Sequence, residues 1–338
     1  PFNYWKDRGD TMYSLRKIWN PPAFQGKNKT CRYFEGWYFK LVSGDQQQVL
    51  AVIPGISHGK KPDESHAFIQ VIDGLNGETH YIRYPLSNFH YSDSVFEISI
   101  GDNFFSDSMM QLSLFSQQLH LHGTLSFSSI VPFPRTFLNP GIMGPFSFNP
   151  FMECYHDVVN IHHEISGSLK WDKAERSFQH GYGYIEKDWG RSFPEAWIWL
   201  QSNHFITGGV SVMFSIAKIP WLGKHFIGHI AFLRIEDRFY RFATHTGSAI
   251  RHLKVQDNSL SVTLQDRRHT LEIQASCEKS GMLKAPKNGL MDREILESID
   301  AEIHLTLKDA QGTVVFEDTG RRAGFEQVGA DIFQTSTP

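Results

Sequence analysis

Cysteine, charge and long apolar runs are all scarce in this chain of 338 residues, and each scarcity excludes something. The three cysteines, Cys31, Cys154 and Cys277, are odd in number and far apart with no CxxC spacing. That excludes a disulfide framework and a cysteine-rich zinc knuckle and fits a reducing, cytoplasmic setting. Charged residues make up 20% of the chain, and 33 Lys and Arg stand against 36 Asp and Glu for a formal net charge of -3. Nothing in that balance draws a polyanion, so nucleic acid is not an expected partner. No apolar run reaches the ~18 residues a membrane-spanning helix needs. The opening PFNYWKDRGD is no basic start leading into an apolar run, so no signal peptide is visible, although processing would hide one. The expectation is a cytoplasmic protein, at most peripheral to a membrane.

Catalytic signatures are missing too. GYGYIE at Gly181 lacks the helix and third glycine of a dinucleotide fingerprint, and no GxSxG elbow is present. His156, Asp157, His162, His163 and Glu164 crowd together without zincin or finger spacing, so neither metal nor cofactor is expected.

What the chain does have is aromatic residues: 14% of the total, with 27 phenylalanines and eight tryptophans. They concentrate in GYGYIEKDWGRSFPEAWIWLQSNHF, from Gly181 to Phe205, beside Glu186, Lys187 and Asp188. Alternation along a strand puts Trp197, Trp199, Gln201 and Asn203 on one face and Ala196, Ile198, Leu200 and Ser202 on the other. The second set is an ordinary core face. The first suits neither a dry core, where the amides lack partners, nor a wet surface, where two indoles are wasted, and reads as a pocket wall. The same alternation gathers Tyr182, Tyr184, Glu186 and Asp188 on the preceding strand.

Apart from a helix near Thr11 to Trp19 and two turns at most over Asp292 to Ser298, the chain reads as short strands separated by Gly, Asn and Asp turns. The pattern is an antiparallel meander in two halves, 1–190 with its lead-in segment and 191–338. Two closed or nearly closed barrels in tandem fit it, since closure removes exposed edges and leaves room for a ligand. The segment from Ile130 to Phe151, with five prolines and five phenylalanines, has neither period. It is either a loop plugged against a barrel mouth or between domains, or a lid or membrane-dipping surface. Trp221 and Leu222, at a hairpin tip, are a second candidate for peripheral membrane contact.

FEGWYFK from Phe34, PGIS with HAFIQVIDG, GPFSFNPFMECYH from Gly144 and the Gly181–Phe205 stretch together resemble the tocopherol cyclase-like family over nearly the whole chain. That family is more loosely similar to carotenoid hydratases and lipocalin-like Diels-Alderases. The resemblance implies an all-β fold of two tandem lipocalin- or calycin-like antiparallel barrels. It also implies a hydrophobic small-molecule substrate, since the plant enzymes close the chromanol ring of tocopherols from prenylated quinols without a redox cofactor.

That chemistry needs an acid to protonate an alkene, an aromatic wall to shelter the cation and a polar group to orient the phenol. A carboxylic acid buried among aromatics stays protonated near neutral pH. Asp188 ranks first as the donor, Glu153 second, and Glu35 third because it shares a face with Tyr33, Trp37 and Phe39. For Glu35 the competing reading is a structural carboxylate paired with a cation such as Arg191, while Lys187 reads as a salt-bridge partner. Trp37, Trp189, Trp197 and Trp199 supply the wall. Tyr155, His156, Asn203 and His204 orient the phenol, with Tyr38, Gln70 and Gln201 beside them. The rivals are a non-catalytic carrier of a hydrophobic ligand and a related alkene hydratase or pericyclic enzyme.

Overall fold

The computed structural model describes residues 17–116, 119–221 and 223–336. Twenty-two strands form two antiparallel sheets, and five 3-10 turns punctuate them. The strands that build the site in the first sheet are β1 (Tyr33–Val42), β2 (Val49–His58), β3 (His66–Asp73), β10 (Cys154–Trp171) and β12 (Gly181–Gly190). In the second they are β13 (Trp197–Ser202), β14 (Val210–Trp221), β15 (Lys224–Ile235), β20 (Gly281–Lys287), β21 (Leu290–Asp309) and β22 (Val314–Val328).

Both sheets follow one plan. Each begins with a four-strand meander whose first strand also pairs with the sheet's last: β1 with β12, and β13 with β22. Each curls around its own apolar core. In the first, Trp37, Phe39, Leu41 and Ile185 pack with Val52, Phe105 and Leu121. In the second, Ile198, Leu200 and Phe325 pack with Val212, Leu264 and Ile303. Both interiors are filled by side chains, so the room for a ligand expected inside a barrel lies elsewhere.

A third cluster joins the two sheets along their other faces and contains Tyr38, Tyr184, Trp197, Trp199, Met213, Phe232, Ile295 and Ile299. Strand alternation makes this possible. On β1, Glu35, Trp37 and Phe39 turn inward to the first core while Phe34, Tyr38 and Lys40 face the second sheet. On β13, Ile198 and Leu200 turn inward while Trp197 and Trp199 face the first sheet.

Two local expectations need correction. Asp292 to Ser298 is not helical: it belongs to β21, which pairs with β20 on one side and β22 on the other, and sheet pairing overrides the helical propensity of its Glu and Leu residues. The Ile130–Phe151 segment begins as strand, since β9 (His120–Pro132) runs into it. Beyond that it has two sides. Phe133, Ile142 and Met143 are buried in the inter-sheet cluster, whereas Phe137, Leu138 and Phe151 are exposed. Of the helix placed near Thr11 to Trp19, only its end at Lys17 and Ile18 falls within the described residues.

Candidate functional site

An apolar cavity opens between the two sheets, walled by Phe34, Tyr38 and Phe68 from the first and by Trp197, Trp199, Ile230 and Ile295 from the second. Met143, Phe146 and Met152 close it on the side of the proline-rich segment, while exposed Pro220, Thr244 and Lys284 lie on its rim. Into this apolar space project five carboxyl groups: Glu153, Glu186, Asp188, Glu297 and Glu326.

Register explains how they meet. Across β1, β12 and β10, Tyr38 pairs with Glu186, and the next cavity-facing row is Gly36, Asp188 and His156. Across β13, β22 and β21 the matching row is Trp199, Glu326 and Glu297. The rows face one another and exchange donors. Trp199 Nε1 donates to Glu186 Oε2 at 3.1 Å, and Tyr38 Oη donates to Glu297 Oε1 at 2.5 Å. The Tyr38 and Trp199 rings meet edge-on at 5.5 Å. Gly324 makes this fit, because a Cβ there would lie 2.6 Å from the Trp199 ring.

Glu186 is the most enclosed of the acids that the first sheet turns to the cavity. Its Oε2 also accepts the Tyr184 hydroxyl at 2.7 Å, and His156 Nε2 stands 3.7 Å away. Burial pushes its pKa up, the His156 imidazolium pulls it back and Asp188 pushes it up again, leaving it at about 8. With both donors on Oε2, the proton of the neutral acid belongs on Oε1. His156 holds Asp188 Oδ1 through Nδ1 at 3.0 Å. Burial opposes its charge, yet Asp188 and Glu186 together raise the imidazole to about 9. At neutral pH the cluster is therefore a neutral acid beside a His156–Asp188 ion pair.

On the second sheet, Glu326 Oε2 accepts Trp197 Nε1 at 2.6 Å. Burial raises Glu326 to about 7 and holds Glu297 well above the carboxylate range, where the Glu326 charge adds to the effect. Glu153 is raised by burial, with Arg191 working against it.

His156, Glu186 and Asp188 offer ligand atoms within 4.8 Å of one another, a spacing that suits a cation. Their hydrogen bonds account for the same closeness: Nδ1 is committed to Asp188, and Oε2 to Tyr184 and Trp199.

A family model described as "Tocopherol cyclase-like" matches residues 125–330, a span holding most of these groups. The chain belongs to the tocopherol cyclase-like family. A probable tocopherol cyclase, chloroplastic, of Oryza sativa subsp. japonica is 26% identical over 144 residues, 40% of this chain and 30% of the relative. A tocopherol cyclase, chloroplastic, of Zea mays is 27% identical over 198 residues, 54% of this chain and 41% of the relative. The chain thus spans less than half the length of these curated relatives. The crystal structure of CghA covers 88% of both chains at a TM-score of 0.54 and 9% identity, a likeness of fold that accords with the tandem lipocalin-like architecture.

Of the residues nominated from sequence in this family member, Asp188, Glu153, Tyr38, His156, Trp197, Trp199 and Gln70 line the cavity. Others do not. Glu35 is fully buried in the first barrel, where Lys187 Nζ sits 2.6 Å from Oε1 and the Tyr33 hydroxyl donates to Oε2. Its cation is Lys187 and not Arg191, which is bonded to Asn288. Trp37 turns into the same core and donates to the Pro22 carbonyl. Trp189, next to Asp188 in sequence, points to the opposite face and stacks on Tyr155, whose hydroxyl donates to the Asn149 carbonyl.

Gln201 and Asn203 do lie between the sheets, but beyond the cavity. Lys40 Nζ meets Gln201 Oε1 at 3.2 Å, and Asn203 Nδ2 donates to the Gly183 carbonyl at 2.8 Å. His204 is buried beside the Tyr182 ring and borders a separate small cleft with Arg321. Sequence reasoning missed Glu186, Glu297 and Glu326 as site residues. Glu186 already shared a face with Asp188, so alternation alone pointed to it. Glu297 and Glu326 lie on stretches of β21 and β22 that were not read as strand.

Proposed function

We propose that the protein is a cofactor-independent cyclase or isomerase that protonates an alkene of a prenylated quinol, or of another isoprenoid-like apolar substrate, and closes a ring. The observation that carries this reading is a neutral acid, Glu186, held inside an apolar cavity between the two sheets, facing Trp197 and Trp199. A carrier needs the apolar space alone; five carboxyl groups in it carry a desolvation cost that binding does not require.

Glu186 Oε1–H adds its proton to the trisubstituted alkene, leaving a tertiary cation on the substrate. The faces of Trp197 and Trp199 and the carboxylate charge around it shelter that cation. The phenol oxygen attacks, the new C–O bond forms and the phenolic proton passes to a base of the cavity. Substrate and product have equal mass, and no electron donor or acceptor is needed. His156, charged and fixed by Asp188, stands where it stabilises Glu186 as it ionises.

The exposed aromatic groups near the rim suit delivery of such a substrate from a lipid surface. Trp221 packs edge-on to Phe146 and Phe226, both of which line the cavity, and Trp19 stacks on Phe137 and meets Phe148 in the turn that carries Phe146. Leu222, proposed from sequence as Trp221's companion, lies outside the described residues.

The test is incubation with prenylated quinols followed by mass spectrometry. A ring-closed product of unchanged mass supports the reading. Recovery of every substrate unaltered from a panel of tail lengths, with tight binding, would replace it with the carrier.

A further inference from the structure

The reaction above leaves the phenolic proton without a named acceptor, and the second sheet holds a carboxyl pair that it does not use. We infer that Glu297 and Glu326 form a seat for the substrate's nucleophilic hydroxyl group, which Glu326 binds and deprotonates, so that the cavity selects neutral hydroxyl-bearing substrates over ethers and carboxylates. The inference rests on the proposed cyclase reading and supplies its base.

The geometry carries it in three steps. Glu297 and Glu326 are direct cross-strand partners on β21 and β22, so their carboxyl groups share one corner of the apolar cavity. Two carboxyl groups can do so only if one keeps a proton. Glu297 Oε1 already accepts the Tyr38 hydroxyl, whereas Oε2 is buried with no partner, so that proton belongs on Glu297 Oε2.

Glu326 is then the carboxylate. An ionised carboxylate has about four acceptor sites, of which Trp197 occupies one. The remainder face the cavity, and the group is only half-buried where Glu297 is closed off. A phenol or alcohol hydroxyl is the donor that fits. An ether has no proton to give, and a carboxylate or diphosphate would bring a negative charge among five carboxyl groups faced by His156 and the rim Lys284.

The cross-sheet arrangement also separates the two proton transfers. Glu186 lies on the first sheet and Glu326 on the second, so donor and acceptor approach the substrate from different walls. In the step itself the hydroxyl O–H bond breaks as the C–O bond forms, and Glu326 takes the proton. A proton returned to Glu186 through solvent completes the cycle.

Titration calorimetry with geranylhydroquinone, its dimethyl ether and the benzoate anion of a geranyl-substituted benzoic acid tests the seat without relying on turnover. The wild-type protein should bind the hydroquinone about tenfold or more tighter than the ether, the range of a hydrogen bond to a charged acceptor, and should not bind the benzoate measurably. Glu326→Gln should narrow the hydroquinone-to-ether preference to about twofold, while Glu186→Gln keeps the preference and loses turnover. Equal wild-type affinity for hydroquinone and ether, or an unchanged preference in a folded Glu326→Gln, overturns the seat. Should Glu326→Gln not fold, Glu297→Gln replaces an acid that already carries its proton with an isosteric amide and leaves Glu326 charged, so the full preference should persist there, and its loss in that folded variant would overturn the seat. Normal turnover in Glu186→Gln with the preference intact would instead overturn the acid assignment and leave the seat standing.

Discussion

Glu186 and Asp188 sit two residues apart on one strand face, yet their surroundings divide their roles. Asp188 is neutralised by His156, whereas Glu186 receives two neutral donors and is the more deeply buried of the two. Alternation in the sequence showed that both faced the same way; which of them met the counter-charge depended on β10, whose His156 arrives through sheet pairing. Glu186→Gln should therefore cut turnover by about a hundredfold to ten-thousandfold with the fold intact, read as kcat beside circular dichroism. Only the protonated acid works, so wild-type turnover should fall as pH rises past about 8. Stability carries the same sign. A carboxyl with a pKa of about 8 when folded and 4.5 ordinarily holds its proton more tightly in the native state, and its contribution is lost as pH climbs between those values. Melting temperatures across pH 5–9 (roughly the span set by those values) should decline less steeply in Glu186→Gln than in the wild type. Because Nδ1 of His156 and Oε2 of Glu186 are already engaged, extensive chelation should leave turnover unchanged; a loss restored by a divalent cation would mark the cluster as a metal centre. In the first core, Lys187→Met leaves Glu35 charged and unpaired in a fully buried place, and should cost about 3 to 5 kcal/mol in denaturant unfolding.

Strands were legible where apolar and polar residues alternate, and β1, β3 and β13 were read close to their observed limits. β21 was not, because acids interrupt it: Glu294 is exposed, Glu297 is buried, and a bulge between Ser298 and Ala301 shifts the period. A buried acid on a strand looks like a helix surface until the opposing sheet that satisfies it is known. The same limit applies to β22, where Glu326 follows the apparent end of the alternation. The proline-rich segment was legible as irregular but not as two-sided, since the split between Phe133 and Phe137 follows from which of them meets Phe232 and Phe239. Its exposed side suggests a measurement. Replacing Phe137 and Leu138 with serine should weaken flotation with neutral phospholipid vesicles several-fold while leaving turnover of a short-chain quinol intact, since neither side chain lines the cavity. Unchanged flotation would remove this surface from the entry route.

At the scale of the molecule, the two barrels are joined by an apolar cluster comparable to either core and by buried polar ties. Gln70 bonds both the carbonyl and the amide of Lys284, and Ser57 donates to the Gly289 carbonyl. Calorimetry should accordingly show one cooperative transition; two well-separated transitions would mean that the barrels unfold independently. Two similar halves could be read from strand spacing, but the shared pairing of first strand with last could not, because no local signal records a partner so distant in sequence. That pairing has a consequence for how the chain matures. Phe34 reaches its partner only when synthesis has passed Gly190, and Trp197 waits likewise for Val328. Until then one margin of β1, bearing Tyr38 and Trp37, offers unpaired backbone to any strand nearby, including those of other nascent chains. Slow refolding from denaturant, with yields that drop as protein concentration rises, is the kinetic signature of such late closure.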